Sequence, residues 1–334
     1  MESNPSLPTD HRALVLSDIK DGFEVKTLPT PQPGIGNAIV RVEAASILSY
    51  HREIYNGARH YEFPMPIVGG CSAMGRIAAV GPDATLLQPG QLVYMDCVIH
   101  SRDSPEDLFL TAIHSGMTLG SKKLIRDVWR DGNWAEFSKV PLENCIPLNE
   151  IRLCRELGYT VKELTYISTL LVPFGGLRDI ALQPGETIIV SPATGAFGGA
   201  GCLVAIAMGC RVIAFGRNET ELARLKSHVL AGFPNANIET LKMTGDEAVD
   251  SAALKEFGTI DAMLDFTPPQ ASASSHVRSA VSCLRRGGRV SLMGFNANPI
   301  NPQVVTGRNI SFKGKLMYER EDMLLFVKML ERGL

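Results

Sequence analysis

The sequence predicts an α/β fold in which a doubly wound parallel sheet follows a β-rich first domain. Residues 187–218 read as a β-branched strand, a glycine-containing turn, a helix and a second strand, which together form one βαβ unit. Strands and helices continue to alternate after it, with strands over 260–266 and 289–294. Such alternation is typical of the Rossmann-type sheet.

The first half of the chain is a series of short apolar segments separated by Gly and Pro turns. Strands are predicted over 12–17, 38–44, 76–80 and 92–95. This pattern favours a compact, barrel-like β domain. A long polar excursion over 97–131 contains one predicted helix, over 121–129, and helix-length apolar spacing follows over 161–182.

Small residues form the turn between the first strand and the helix of the βαβ unit. Ala193, Gly195 and Gly198 would let a pyrophosphate approach the backbone at the helix N-terminus. Free N–H groups and the helix dipole favour an anion there. The spacing is Ala-x-Gly-x-x-Gly, so a structural turn that binds no nucleotide remains the alternative.

The end of the second strand of the βαβ unit predicts which nucleotide binds. Proteins that prefer NAD usually place Asp or Glu there to bond the ribose 2′-hydroxyl. Here Gly216 is followed by Arg217 and Asn218, and Arg217 can form a bidentate pair with a 2′-phosphate. We therefore predict NADPH, with a solvated loop position for Arg217 as the alternative. The residues predicted to bind the cofactor are Pro192, Ala193, Thr194, Gly195, Ala196, Phe197, Gly198, Gly216, Arg217, Asn218, Phe266 and Gly294.

Composition narrows the class of protein. A net charge of −2 gives no basic footprint for nucleic acid, and no apolar run reaches membrane-spanning length. The first residues lack the basic start and apolar core of a signal peptide. The seven cysteines are scattered without a Cys-x-x-Cys pair, which favours reduced thiols. The sequence thus predicts a cytoplasmic protein that acts on a small molecule.

Five further motifs follow one another along the chain. They are Val42-Glu43-Ala44-Ala45-Ser46-Ile47, Gly70-Cys71-Ser72-Ala73-Met74-Gly75, Gln88-Pro89-Gly90-Gln91-Leu92-Val93, Gly132-Asn133-Trp134-Ala135-Glu136-Phe137 and Arg286-Gly287-Gly288-Arg289-Val290. With the βαβ unit, they resemble the medium-chain dehydrogenase/reductase superfamily of alcohol dehydrogenases and quinone reductases. The resemblance implies a GroES-like catalytic domain over 1–150, a Rossmann NADP-binding domain over 151–309 and a return segment over 310–334. Family members usually continue further, so this return segment is expected to be a natural short form or a truncated one.

Zinc-dependent relatives supply metal ligands that this sequence lacks. The resemblance places Leu48, Cys71 and Phe174 in the three regions that carry those ligands. A catalytic zinc needs about three protein ligands and an open fourth position, and only Cys71 could ligate. The four-cysteine structural zinc lobe is also missing, with residues 97–131 in its place. We therefore expect no bound metal.

A member without zinc must stabilise charge on its substrate with hydrogen-bond donors. The resemblance places Tyr50 where zinc alcohol dehydrogenases carry a proton-relay hydroxyl, and a phenol there can donate to a carbonyl oxygen. The neighbouring His51 can act as a proton donor or shuttle, and Ser49 is a third catalytic candidate. The alternatives are a Tyr50 that packs with its hydroxyl in water and a His51 that is only a surface polar residue.

The resemblance therefore implies a zinc-independent, NADPH-dependent oxidoreductase that transfers hydride to an activated C=C bond of an enone, enoyl or quinone substrate. One alternative is an NADP-dependent carbonyl reductase or alcohol dehydrogenase, and another is a non-catalytic NADPH-binding protein. Relatives without zinc often serve specialised metabolism. Family members frequently pair through an edge strand, so 292–295 and 310–316 are candidate strands for a homodimer.

Overall fold

The computed structural model describes residues 6–334. Two compact units divide them, one of residues 6–168 and 330–333 and the other of residues 169–329 and 334. Residues 151–168 thus lie with the first unit, beyond the predicted boundary at 150, because a short helix in this segment packs against first-unit strands. No helix among the described residues is long and apolar enough to cross a membrane.

The first unit consists mainly of short strands. They are β1 (Asp10–Leu16), β2 (Phe23–Pro29), β3 (Asn37–Ala45), β4 (Ile67–Val68), β5 (Ala73–Val80), β6 (Leu92–Met95), β7 (Val98–His100), β8 (Leu108–Leu110), β9 (Phe137–Pro141) and β10 (Cys145–Pro147). Its helices are α1 (His51–Tyr55), α2 (Leu119–Asp127) and α3 (Val161–Leu164), and a π-helical turn covers Ile151–Glu156.

An antiparallel sheet of five strands, in the order β10-β6-β5-β3-β9, forms the centre of the first unit. A three-stranded sheet, β2-β1-β4, and the pair β7-β8 accompany it. Side chains such as Val40, Ile77 and Val93 are buried together on one face of the five-stranded sheet. The β-rich first domain is therefore confirmed, and the four strands predicted for it fall in β1, β3, β5 and β6.

The second unit alternates strands and helices. Its strands are β11 (Thr187–Ser191), β12 (Arg211–Gly216), β13 (Ile238–Lys242), β14 (Ala262–Asp265), β15 (Arg289–Leu292) and β16 (Ser311–Gly314). The helices are α4 (Ile167–Asp179), which begins just before the unit, α5 (Ala196–Ala207), α6 (Glu219–Gly232), α7 (Glu247–Lys255), α8 (His276–Val281), α9 (Pro302–Arg308) and α10 (Arg320–Glu331).

The six strands of the second unit form one parallel sheet in the order β13-β12-β11-β14-β15-β16. This confirms the doubly wound sheet, and its strand order reverses between β11 and β14, where such sheets bind ligands. All five residues of β11 are buried, as expected for a strand covered on both faces. Of the two candidate dimer strands, the one near residue 292 lies inside the sheet as β15, whereas β16 forms an edge.

Candidate functional site

A cavity of about 880 Å³ lies in the second unit, where β11, β12 and β13 end. We call it the strand-end cavity. Five of the residues predicted to bind the cofactor line it: Pro192, Thr194, Gly195, Arg217 and Asn218. Cavities of this volume are typical of cofactor sites.

Two glycines at the start of α5 have different structural requirements. A Cβ atom at Gly198 would lie 2.0 Å from the carbonyl oxygen of Pro192, so only glycine lets the helix pack this closely on the preceding turn. A Cβ atom at Gly195, the N-cap residue of α5, would meet no atom within 4 Å. The open side of Gly195 and the N–H groups of the first helical turn fit a pyrophosphate group.

Two cationic side chains and one carboxylate line the outer part of the strand-end cavity. Arg217 follows β12 directly, and Lys242 at the end of β13 is the register partner of Gly216. Lys242 Nζ lies 3.4 Å from Glu219 Oε2, and all three of these side chains are exposed. Sequence reasoning missed Lys242, because β13 is only half-buried and gave no clear strand pattern. It missed Glu219, at the start of α6, because the approach of this residue to Lys242 depends on the fold. The sequence signal that could have identified Lys242 is a lysine at the end of the strand that pairs with β12.

A buried polar network lies beside the strand-end cavity. Asp265 and His276 are both 0% exposed, and His276 Nε2 lies 3.2 Å from Asp265 Oδ1 and 2.9 Å from Thr267 Oγ1. The Thr267 hydroxyl also bonds to Asp265, and His276 Nδ1 lies 2.9 Å from Ser274 Oγ. His276 and Ser274 line the cavity, so the network holds the loop between β14 and α8 against it. Neither residue was among the sequence predictions.

The remaining residues predicted to bind the cofactor lie outside the lining of the strand-end cavity. They are Ala193, Ala196, Phe197, Gly198, Gly216, Phe266 and Gly294. Phe197 and Phe266 stack on each other with ring centroids 5.9 Å apart. A Cβ atom at Gly294 would lie 2.2 Å from the Thr267 nitrogen, so Gly294 permits close packing of the same loop. Their contacts with a cofactor stay predictions.

In the first unit, the catalytic candidate Tyr50 is the N-cap residue of α1. The guanidinium carbon of Arg59 lies 4.0 Å from the centroid of its ring, which is cation–π geometry. Burial raises the pKa of Tyr50. Its hydroxyl is therefore protonated at neutral pH and carries a hydrogen that it can donate. Ser49, the preceding candidate, is exposed.

His51 is buried, with 3% of its surface exposed, so it is not a surface residue. Its Nδ1 accepts a hydrogen bond from the Leu48 backbone N–H at 3.2 Å. In the neutral ring the proton therefore lies on Nε2, which is 3.7 Å from Cys71 Sγ. Trp134 packs edge-on against the imidazole, with ring centroids 5.1 Å apart. The ring is thus held as a donor toward Cys71.

Cys71 and Cys97 are neighbouring buried thiols, with 2% and 4% of their surface exposed. A hydrogen bond from Cys97 and another from His51 hold the pKa of Cys71 well below its ordinary value, although burial opposes this. The contact with Cys71, together with burial, raises the pKa of Cys97. Of the two thiols, Cys71 ionises first. Sequence reasoning identified Cys71 but not Cys97, whose approach depends on the fold.

No group of three or more His, Cys, Asp or Glu side chains within residues 6–334 is arranged to hold a metal ion. Cys71 packs against His51 and Ser46, whose Oγ lies 3.8 Å from Cys71 Sγ. Leu48 and Phe174 have apolar side chains. That the protein works without zinc stays a prediction, based on the identities of these residues.

Comparison with known families identifies both parts of the chain. Residues 34–150 match the model of the alcohol dehydrogenase GroES-like domain, and residues 196–332 match that of the zinc-binding dehydrogenases. The chain belongs to the medium-chain dehydrogenase/reductase superfamily. This is a superfamily of oxidoreductases that bind a nicotinamide cofactor, and its fold combines the GroES-like and Rossmann-like domains predicted from the sequence.

Individual relatives of this superfamily member catalyse different reactions. Acryloyl-coenzyme A reductase of Metallosphaera sedula is 29% identical over 208 residues, which are 60% of this chain and 57% of that protein. Alcohol dehydrogenase 1 of Emericella nidulans is 25% identical over 231 residues, which are 66% of this chain and 61% of that protein. The chain thus spans about three fifths of the length of each.

A solved structure supports the fold of this superfamily member. It is that of a short chain alcohol dehydrogenase from Escherichia coli CFT073, complexed with NADH. Its TM-score with this chain is 0.75 at 18% sequence identity, and the match covers 98% of this chain and 89% of the other. At this identity the likeness is evidence for the fold alone.

Proposed function

We propose that this protein is an NADPH-dependent reductase that transfers hydride to an activated C=C bond of an enone, enoyl or quinone substrate, without zinc. The observation that carries the proposal is the pair of cations, Arg217 and Lys242, in the lining of the strand-end cavity. The acryloyl-coenzyme A reductase relative supports the reaction class. The apolar Leu48 and Phe174 in two ligand regions of zinc enzymes support a reaction without the metal.

The outer part of the strand-end cavity favours a phosphorylated ribose. Arg217 and Lys242 carry two positive charges, and Glu219 neutralises only part of this charge through its contact with Lys242. A 2′-phosphate adds negative charge that the two cations attract, and a guanidinium binds phosphate in bidentate fashion. NAD lacks that phosphate. The same side chains therefore bind NADPH more tightly than NADH.

Tyr50 is the residue proposed to assist the hydride transfer. NADPH, when bound, would supply hydride to the β-carbon of the C=C bond, and the bonding electron pair would then be displaced toward the substrate carbonyl. The Tyr50 hydroxyl, protonated because burial raises its pKa, donates a hydrogen bond to the carbonyl oxygen that gains this charge. The Arg59 guanidinium restrains the Tyr50 ring from one face. The α-carbon then takes a proton from solvent, which completes the reduction.

The test is oxidation of NADPH, followed by absorbance, with a panel of enones, quinones and aldehydes. Turnover of enones or quinones that is faster with NADPH than with NADH supports the proposal. Turnover of aldehydes alone supports an alcohol dehydrogenase-type activity, which the match to alcohol dehydrogenase 1 favours as the second candidate. Tight NADPH binding with no turnover supports a non-catalytic role. Metal analysis of active enzyme after dialysis against a chelator tests zinc independence.

A further inference from the structure

The three charged side chains in the outer part of the strand-end cavity are not equivalent. Arg217 forms no ion pair within residues 6–334, whereas Lys242 Nζ lies 3.4 Å from Glu219 Oε2. The Glu219 carboxylate therefore already contacts one of the two cations that the proposed function assigns to the 2′-phosphate. We infer, on the basis of that proposed function, that Glu219 determines coenzyme specificity. It competes with the 2′-phosphate of NADPH for Lys242 and limits the preference for NADPH over NADH.

The contact between Lys242 and Glu219 is loose enough for a ligand to replace it. Hydrogen bonds between an ammonium and a carboxylate are usually about 2.7–2.9 Å long, and this contact is 3.4 Å. The side chains of Lys242 and Glu219 are 58% and 75% exposed, and ion pairs between exposed side chains contribute little stability. A phosphate can therefore reach the Lys242 ammonium, and the loss of the ion pair has little effect on its affinity.

A phosphate bound to Lys242 lies close to the Glu219 carboxylate. A phosphate oxygen bonded to the ammonium is about 2.8 Å from Nζ, and Glu219 Oε2 is 3.4 Å from the same atom. While Glu219 keeps its position, the two oxygens are thus at most about 6 Å apart. At neutral pH the phosphate carries a charge of about −1.5 to −2, so the carboxylate repels it. NADH has an uncharged 2′-hydroxyl and is not repelled in this way.

The position of Glu219 in α6 adds to this competition. Glu219 is the first residue of the helix, where free N–H groups and the helix dipole favour an anion. The next residue, Thr220, also lines the strand-end cavity, so the start of α6 borders it. The Glu219 carboxylate already supplies a negative charge there. It therefore offsets the attraction that the helix would otherwise exert on a phosphate.

The test compares adenosine 2′,5′-bisphosphate with 5′-AMP, which differ only in the 2′-phosphate, with binding followed by calorimetry on the full chain. Glu219→Gln removes the carboxylate and keeps the size of the side chain. We expect this variant to bind the bisphosphate about fivefold more tightly than the wild type does, which is the scale of repulsion between these charges about 6 Å apart in water. Its affinity for 5′-AMP should not change. The gain should shrink as ionic strength rises from about 0.01 M to about 0.15 M, because the screening length falls from about 30 Å to about 8 Å.

Glu221→Gln is the matched control. Glu221 is also an acidic residue of the first turn of α6, but it pairs with Arg224 at 2.6 Å and lies outside the lining of the strand-end cavity. The variant changes the net charge of the protein and the charge of the helix start in the same way as Glu219→Gln. It should bind the bisphosphate as the wild type does.

The outcomes separate this inference from the proposed function. A wild type that prefers the bisphosphate, with a Glu219→Gln variant that binds it no more tightly, overturns the inference and leaves the NADPH assignment intact. An equal gain in Glu221→Gln, or a gain that does not depend on salt, also overturns the inference. Equal affinity for the two compounds in the wild type and in both variants contradicts the NADPH assignment, and the inference with it.

Discussion

Neighbouring side chains at the start of α1 lie in very different environments. His51 is buried against Cys71, Tyr50 lies beneath Arg59, and Ser49 is exposed. Adjacent residues at the start of one short helix thus have different roles. Tyr50 is a candidate proton donor, and His51 donates toward the Cys71 thiol. Substitutions at these positions should therefore have distinct effects.

Replacement of Tyr50 by Phe removes the proposed donor to the substrate oxygen and keeps the ring beneath Arg59. We expect kcat to fall by about 10²-fold, the usual scale for loss of such a donor, with little change in the KM for NADPH. Steady-state kinetics with the best enone measures this. Tyr166→Phe, at a tyrosine that is 44% exposed, is the control. Full turnover in Tyr50→Phe would show that another group donates.

Replacement of Arg217 by Glu reverses one of the two charges at the outer part of the strand-end cavity. We expect the KM for NADPH to rise about tenfold or more, and the preference for NADPH over NADH to shrink accordingly. Lys242→Gln should act in the same direction. Arg224→Gln changes an exposed arginine of α6 outside the cavity and serves as the control. An unchanged preference in both Arg217→Glu and Lys242→Gln contradicts the NADPH assignment.

The lowered pKa of Cys71 makes one contribution to stability depend on pH. Its ordinary pKa is 9.0, so between the lowered pKa and that value the unfolded chain binds more protons at this thiol than the native protein does. The stabilisation from Cys71 is therefore complete above about pH 9 and is lost as pH falls through the lowered pKa.

Denaturant unfolding of the wild type and of Cys71→Ser over a pH series measures this contribution. We expect the gap between their free energies of unfolding to widen as pH rises from the lowered pKa of Cys71 to about 9, above which the raised pKa of Cys97 acts in the opposite direction. His51→Phe removes a donor to the thiolate. It should move the widening to higher pH. A gap that does not vary with pH would mean that Cys71 has an ordinary pKa.

At the level of elements, two glycines at the start of α5 have different roles. Gly198 is needed for close packing, whereas Gly195 leaves open space for a ligand. Gly198→Ala forces a Cβ atom to 2.0 Å from a backbone oxygen and should destabilise the second unit by several kcal/mol, about the scale of severe core strain. Gly199→Ala is the matched control, because its Cβ would find its nearest atom at 3.8 Å. That substitution should be neutral or stabilising by about 0.5–1 kcal/mol. Thermal unfolding distinguishes the two.

Gly195→Ala tests the same turn for function. Its Cβ meets open space, so the variant should keep the thermal stability of the wild type. The methyl group would nevertheless occupy the side from which a pyrophosphate approaches, and we expect about tenfold weaker binding of NADPH. Fluorescence titration with NADPH measures it. Unchanged affinity would mean that the cofactor phosphates bind elsewhere.

For the whole molecule, β16 is the candidate edge strand for the predicted homodimer. The N–H groups of Ser311 and Lys315 bond toward β15, so those of residues 312 and 314 face away from the sheet. Gly314→Pro removes one outward N–H group at a position with open space, whereas Gly314→Ala keeps it. If the protein is a dimer, sedimentation should show the proline variant as a monomer and the alanine variant as a dimer. Equal behaviour of both variants contradicts pairing through β16.

Local signals in the sequence were sufficient to predict the βαβ unit of the second unit. The run over β11, the small residues after it and the apolar helix of α5 are contiguous, so each can be recognised without the fold. β13 was missed because it is half-buried and carries Glu239 and Lys242. Lys242 reaches the cavity through its register with Gly216, and Cys97 reaches Cys71 through the fold of the first unit. Such pairings depend on topology, which no short window of sequence contains.

The side chains that we propose to select the coenzyme lie outside the hydrophobic core. Arg217, Glu219 and Lys242 are exposed, and the strands beneath them supply the buried residues. Exposed substitutions usually change stability by less than about 0.5 kcal/mol. Asn218 also lines the cavity, but it differs from these three residues because its side chain caps α6. Coenzyme preference is therefore open to rapid evolutionary change: a few codon changes could move this scaffold from one cellular pool of reducing equivalents to another, with no need to evolve a new core.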